Sequence, residues 1–290
     1  MQHRAAPSPP PARSSRPTPA SCALLFASFV AGVAAPAGAD DDAGPPAALG
    51  CFVRHYGGVA RRSVDGRWQA SFADGAVVVP WDDGRTKSLD ERLDDPDVED
   101  ILALGYPRGP VAPVVVADFD PGRVRHEGVL RARYGADAGA VAAALVDVDF
   151  VGQRVRVHRL VAPALARVAA RLSALVAREP SMRRFVVGEL GGTMQWRAIA
   201  GTQRLSTHAF GTAIDVVTST SDYWRWQRGA DGSVRWRNRI PADVVAAFEA
   251  EGFIWGGRWF HYDTMHFEYR PELFDEECRA PPRSHGPSRR

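Results

Sequence analysis

The sequence predicts an α+β fold, with helices packed on a mostly antiparallel sheet and a small N-terminal accessory subdomain. Two segments with helical apolar spacing, and three short apolar runs of strand length, support this class. About 250 residues remain once an N-terminal leader is set aside, enough for the core of one large domain or two small ones. The sequence shows no internal repeat.

Residues 1–39 have the features of a secretory signal peptide. The first 21 residues contain three arginines and no acid, an apolar run follows over 22–35, and Ala37-Gly38-Ala39 offers a cleavage site. The run is shorter than the roughly 20 residues that a membrane span needs. We therefore expect an exported protein, periplasmic or extracellular, without a stable membrane span after signal removal. Because the leader's start is long and proline-rich, an uncleaved anchor is the alternative.

The net charge and the cysteine content indicate which binding partners and which redox compartment to expect. Removing residues 1–39 removes three arginines and no acid, so the net charge changes from +2 to −1 (+2 − 3). Arginines alternate with aspartates along the chain, which argues against a nucleic-acid partner. Cys22 leaves with the signal, and in an exported protein the remaining pair, Cys51 and Cys278, favours a disulfide over two free thiols.

The region after the leader divides into a linker and an accessory part. Residues 40–50 are acidic and rich in proline and glycine, which predicts a linker. Residues 51–110 form the predicted accessory region, with strand-like runs at 68–72 and 77–79 around a turn at Asp74-Gly75. Residues 89–104 read as an acidic helix. Nothing in this region indicates chemistry by itself.

The main domain is expected over residues 111–279. Apolar spacing predicts helices over 158–178 and 241–251, with a proline in the first turn of each. Strand-like runs lie at 185–187, 212–217 and 265–269. The tail, residues 280–290, has no apolar anchor and is expected to be disordered.

Two segments of this domain supply residue types that zinc sites use. His208, Asp215 and His266 offer two imidazoles and a carboxylate, and a catalytic zinc site needs three protein ligands with one open position. Gly211 allows a turn that brings His208 back towards Asp215 in the strand that follows. Asp263 is a spare carboxylate that could act as a base. The pattern predicts a catalytic Zn²⁺ site.

The spacing around His266 leaves two candidate bases. Asp263 can face the same metal as His266 only if it lies in the turn that leads into the strand. Glu268 shares a strand face with His266 by alternation, so it is the competing base or a residue that orients His266. Other hydrolase motifs are missing: the run from His126-Glu127 has Leu130 where His-Glu-x-x-His needs its second histidine.

The run Ser-x-His-x-x-Gly-x-Ala-x-Asp over 206–215, followed by Asp-x-x-His over 263–266, resembles the M15 metallopeptidase family. That family includes D-alanyl-D-alanine carboxypeptidases and L-alanyl-D-glutamate endopeptidases. The similarity covers roughly 186–273, and residues 80–84 and 120–123 are similar less specifically. The resemblance implies a zinc peptidase that hydrolyses peptidoglycan stem peptides.

The resemblance also implies roles for single residues. Asp263 takes the position of the general base, and Arg197 that of the group that stabilises the oxyanion. Arg204 is an alternative candidate, for binding a substrate carboxylate.

Two further side chains near the motifs are candidates on position alone. Ser206 could orient His208 through a hydrogen bond, and His261 could tune Asp263 or contact the substrate.

Two other functions remain open from the sequence. One is a cell-wall-binding module that keeps zinc but has lost turnover, and the intact Asp263 argues against it. The other is a zinc amidohydrolase or dipeptidase with a different substrate. Carboxypeptidase and endopeptidase specificities are not distinguished, and the sequence does not indicate an oligomeric state.

Overall fold

The computed structural model describes residues 44–229 and 232–280. These residues contain eight α-helices and nine β-strands. The strands form antiparallel sheets of three, two and four strands. The predicted α+β class is therefore confirmed. The predicted signal peptide, residues 1–39, lies outside the described residues, as do residues 281–290 of the predicted tail.

The N-terminal region contributes one helix and the three-stranded sheet. Its elements are α1 Ala47–Tyr56, β1 Val59–Arg62, β2 Trp68–Phe72 and β3 Val77–Pro80. A short 3-10 turn at the predicted position, Ala73–Gly75, connects β2 to β3. The linker predicted over 40–50 ends earlier than expected, because Ala48 and Leu49 are buried and form part of the apolar face of α1.

The helix predicted over 89–104 is instead two short helices, α2 Leu89–Asp94 and α3 Val98–Leu102. Pro96 lies between them, and a proline disfavours helical backbone in the residue before it. Each helix has its own capping box at the N-terminus, formed by Ser88 for α2 and by Asp97 for α3.

The sequence did not predict the next four elements. They are α4 Glu127–Tyr134, α5 Ala138–Ala143, β4 Leu145–Phe150 and β5 Gln153–His158. The two strands pair as a hairpin in which Val148 and Phe150 are buried while Asp147 and Asp149 are exposed. The charged residues interrupt each apolar run, so neither strand stands out in the sequence.

Two helices follow. They are α6 Ala162–Arg178 and α7 Arg183–Val186. α6 begins later than the predicted residue 158, because His158 is the last residue of β5. The strand predicted over 185–187 is wrong: Phe185 and Val186 are buried as part of α7. An apolar run of three residues does not distinguish a strand from a helical turn.

The four-stranded sheet comes from the C-terminal half. Its strands and the helix between them are β6 Leu190–Gly192, β7 Ala213–Val217, α8 Ala242–Glu249, β8 Phe253–Trp255 and β9 His266–Tyr269. Their spatial order is β6-β7-β9-β8, and all pairs are antiparallel. The helix α8 packs behind the sheet, where Phe248 stacks on Phe267 with ring centroids 3.8 Å apart.

The expected disulfide between Cys51 and Cys278 is present and joins α1 to the C-terminal end. Each of α1, β2, α6 and β7 contributes buried residues to one hydrophobic cluster. The predicted accessory region, residues 51–110, thus contributes buried residues to the same cluster as the C-terminal half. Among the described residues, no helix is long and apolar enough to cross a membrane.

Candidate metal centre and its cleft

Three predicted ligands, His208, Asp215 and His266, come together at the two central strands of the sheet, β7 and β9. His208 Nε2 lies 3.1 Å from Asp215 Oδ1 and 3.2 Å from His266 Nδ1, and the last two atoms are 3.1 Å apart. A tetrahedral zinc ion with ligands at about 2.1 Å has edges of about 3.4 Å between ligand atoms. These three side chains could therefore hold a metal ion.

Local backbone structure explains how the three side chains meet. The register of β7 and β9 sets Asp215 directly opposite His266. His208 lies in the 3-10 turn Thr207–Phe210, which ends at Gly211 with a φ of 64°. A Cβ at Gly211 would lie 2.8 Å from Leu145 Cδ2, so both the conformation and the space require glycine. The chain thus folds back tightly from His208 into β7.

Ser206 acts on the backbone of this turn. Its hydroxyl accepts a hydrogen bond from the backbone N–H of His208 at 3.4 Å and caps the turn. Ser206 thereby fixes where the His208 side chain starts, through a hydrogen bond to the backbone rather than to the imidazole ring.

Glu268 lies behind His266, on the side away from the three ligand atoms. Its Oε2 is 3.4 Å from His266 Nε2, and its carboxylate accepts two hydrogen bonds from the Arg125 guanidinium, one of them 2.7 Å long. Burial favours the neutral acid, yet the charges of Arg125 and Arg270 and the contact with His266 hold the pKa of Glu268 well below its usual range. An Nε2–H bond to this carboxylate leaves Nδ1 of His266 free to bind a metal.

Asp263 has a different environment. It lies in the turn before β9, closed by a hydrogen bond from His266 N to Asp263 O at 3.1 Å. Its Oδ1 is buried and has no hydrogen-bond partner among the residues that the structure describes. Burial raises the pKa of Asp263 to about 6. The positive charge of His266 opposes this rise, and the negative charge of Asp215 adds to it.

A cleft of about 150 Å³ connects these groups. Its walls include His208, Asp215, His266 and Asp263, and also Arg197, Ser206, His261 and Trp259. Arg197 is exposed there, and its Nε donates to Gln195 Oε1 at 2.8 Å. Arg204 does not line this cleft. It lines a larger neighbouring cavity and pairs with Asp94, because its loop turns it towards α2.

His261 is held by a residue that sequence reasoning did not select. The buried carboxylate of Asp120 accepts from the backbone N–H of His261 at 3.0 Å and lies 2.7 Å from its Nδ1. Arg123 Nη1 donates to the same carboxylate at 3.0 Å. Burial favours the neutral acid, but the hydrogen bond with His261 and the charge of Arg123 lower the pKa of Asp120. His261 therefore lines the cleft while its Nδ1 contacts the Asp120 carboxylate.

Sequence reasoning also missed Arg123 and Arg125, which line both the cleft and the neighbouring cavity. The one signal in the sequence was the resemblance of residues 120–123 to the same family. Arg125 lies two residues beyond that run, in a loop without periodicity.

Residues 200–269 match a family model described as D-alanyl-D-alanine carboxypeptidase, of the M15 peptidases. This segment includes His208, Asp215, Asp263 and His266, while Arg197 precedes it. No curated protein and no solved structure was found to match the chain. The segment that forms the candidate metal centre is therefore similar to the M15 peptidase family.

Proposed function

We propose that this protein is a zinc-dependent peptidase that hydrolyses peptide bonds of peptidoglycan stem peptides outside the cytoplasm. One observation carries the proposal: the carboxylate of Asp263, whose buried Oδ1 has no hydrogen-bond partner among the described residues, shares a cleft with the three clustered ligand atoms. The match of this segment to the M15 family supplies the substrate class.

The residues at the centre fit zinc in number and in donor type. Two imidazole nitrogens and one carboxylate oxygen suit this metal, and His208, Asp215 and His266 would hold it. Bound zinc supplies a water whose pKa is about 7 and an electrophile that polarises a peptide carbonyl. Glu268 keeps the ring of His266 in the orientation that binding needs.

Asp263 is the residue that moves the proton. Its pKa of about 6 leaves it mostly ionised at neutral pH, so it can accept a proton from the attacking water. The same pKa is close enough to neutrality for the proton to be returned to the leaving amine. Glu268 is unsuited to this duty, because its carboxylate is committed to Arg125.

Two cationic or polar groups in the cleft complete the proposal. Arg197 stabilises the negative charge that develops on the carbonyl oxygen, since its side chain is exposed in the cleft. His261, with its Nδ1 engaged by Asp120, contacts the substrate. Arg204 belongs to the neighbouring cavity and can contact only a substrate that extends that far.

The proposal is tested with two synthetic stem peptides, one ending in D-Ala-D-Ala and one containing an L-Ala-D-Glu bond. The zinc-loaded protein should cut at least one of them, as followed by mass spectrometry, and a chelator should stop the reaction. Asp263→Asn should lower the rate about 10²–10⁴-fold. Asp243→Asn, an exposed carboxylate on α8, is the matched control and should keep full activity.

The contrary result is a zinc-loaded protein that cuts neither peptide. The peptidase proposal then fails, and a cell-wall-binding module becomes the better explanation. Which peptide is cut decides between carboxypeptidase and endopeptidase, and a free dipeptide as the sole substrate would make the protein a dipeptidase.

A further inference from the structure

A second group of metal-ligating side chains lies outside the cleft, where α1 meets the C-terminal end of the described chain. It consists of Cys51, His55, Asp275 and Cys278. One ligand atom from each lies within 4.8 Å of those of the others. Two sulfurs, one imidazole and one carboxylate are a donor set of the kind that structural zinc sites use.

The backbone positions these four residues in two pairs. Cys51 and His55 are four residues apart on α1, so they share one face of the helix. Cys278 is the last residue of the 3-10 turn Glu276–Cys278, and Asp275 caps the start of this turn by accepting a hydrogen bond from the backbone N–H of Glu277 at 3.0 Å. The backbone of both pairs is therefore fixed by secondary structure without a metal ion.

The two pairs also face each other. His55 Nε2 lies 3.1 Å from Asp275 Oδ2. The sulfurs of Cys51 and Cys278 are joined in the disulfide, and both residues are buried. The side chains of His55 and Asp275 are 26% and 35% exposed, so a hydrated ion can approach from their side.

We propose that reduction of the Cys51–Cys278 disulfide converts this group into a zinc site with all four side chains as ligands. A dithiol reductant cleaves the S–S bond, becomes a cyclic disulfide itself, and leaves two thiols on the protein. Zinc binding then displaces both thiol protons, giving two thiolates, one imidazole and one carboxylate around the ion. Two thiolates favour zinc over magnesium or calcium.

The site would replace one cross-link with another. The disulfide fastens α1 to the C-terminal turn, and the hydrogen bond from Tyr56 Oη to Glu272 at 3.0 Å and the contact between His55 and Asp275 lie alongside it. A metal held by ligands from both segments keeps α1 in place when the covalent bond is absent. The proposal does not depend on the peptidase function, because the cleft shares none of these four residues.

The test uses the mature protein with His208→Ala, which disables the metal centre in the cleft. One sample is produced and purified under reducing conditions, and a second is oxidised. Alkylation and mass spectrometry verify two free thiols in the first sample and none in the second. Both are loaded with Co²⁺, a spectroscopic substitute for zinc, and freed of excess metal.

The reduced sample should retain one Co²⁺ per chain and show thiolate-to-cobalt charge-transfer absorption, and the oxidised sample should show neither. The variant with Cys51→Ser and Cys278→Ser is the matched control and should also lack both signals. His55→Ala in the reduced chain should weaken Co²⁺ binding while leaving some charge-transfer absorption.

Two results would overturn the proposal. One is a reduced chain with two verified thiols that retains no more Co²⁺ than the double serine variant. The other concerns folding: if the reduced chain loses its far-ultraviolet circular dichroism, zinc should restore it, because such sites couple binding to folding. A reduced, unfolded chain that zinc does not refold contradicts the proposal.

Discussion

At the residue scale, two carboxylates near His266 differ in what surrounds them. Glu268 is paired with Arg125 and has a lowered pKa. Asp263 instead has a buried oxygen that no described residue contacts through a hydrogen bond, and a pKa of about 6. Two carboxylates whose surroundings give them different pKa values can serve different roles at one site. Alternation along β9 made Glu268 a competing base, and the pairing with Arg125 argues for a role in positioning His266.

Glu268→Gln tests that division of roles. The amide keeps the size of the side chain but removes the charge that pairs with Arg125 and with Nε2–H of His266. Loss of such a partner to a metal-binding histidine typically lowers metal affinity about 10–100-fold, and we expect this range in a chelator-competition titration. With saturating zinc, turnover should fall less than in Asp263→Asn. A zinc-loaded Glu268→Gln protein without turnover, beside an active Asp263→Asn, would make Glu268 the base.

Zinc affinity of the metal-free protein should rise with pH. Burial opposes protonation of His266, but the hydrogen bonds with Asp215 and Glu268 and the charges of Asp215 and Asp263 raise its pKa to about 9. The metal must therefore displace a proton from His266 at neutral pH. Below the raised pKa, each pH unit should increase the apparent affinity about tenfold, and the increase should level off near pH 9. Affinity that stays constant from about pH 7 to about pH 9 would contradict this cause.

At the element scale, the strands that carry the candidate ligands were predictable and the loop that supports them was not. Ile214 and Val216 alternate with Asp215, and Phe267 alternates with His266 and Glu268, so period two and burial identify β7 and β9. Asp120, Arg123 and Arg125 lie in an irregular loop whose placement depends on distant packing. Local periodicity contains no information about such contacts.

The same limit explains the elements that were wrong or missed. Phe185 and Val186 are apolar in either a strand or a helix, and only their packing in the core decides for α7. The β4–β5 hairpin turns at Val151 and Gly152, with φ values of 53° and 81°. A valine at positive φ is uncommon, so the sequence gives no ordinary turn signal at that point.

Lys87 tests how α2 and α3 are held in place. Its side chain is 1% exposed, and its ammonium lies 2.6 Å from Asp83, 3.3 Å from Asp97 and 2.7 Å from Asp100. Lys87→Met would leave these carboxylates without their shared cation, and we expect the free energy of unfolding to fall by about 3–5 kcal/mol in urea denaturation.

Arg85→Met is the matched control for Lys87→Met. Arg85 also pairs with aspartates, Asp83 and Asp95, but its side chain is 52% exposed. Its replacement should change the free energy of unfolding by less than about 1 kcal/mol. If the two substitutions lowered the free energy of unfolding equally, the burial of Lys87 would not be the cause of its larger expected effect.

At the scale of the whole molecule, the N-terminal region and the segment that matches the M15 family model share one core. The disulfide joins α1 to the C-terminal turn, and Tyr106 Oη accepts a hydrogen bond from the backbone N–H of Trp255 in β8 at 2.9 Å. The sequence indicated the disulfide through its cysteine count, but it indicated nothing of the contacts that residues 51–110 make with the sheet. Those contacts come from single residues far apart in the chain.

The most direct test of the central claim is the zinc content of the oxidised protein and three variants, measured on the same preparations as turnover. The wild type and Asp263→Asn should each hold one zinc per chain, and only the wild type should turn over substrate. His208→Ala and Asp215→Ala should hold little or none. Retention of a full zinc by His208→Ala, or loss of zinc from Asp263→Asn, would contradict the assignment of ligands and base.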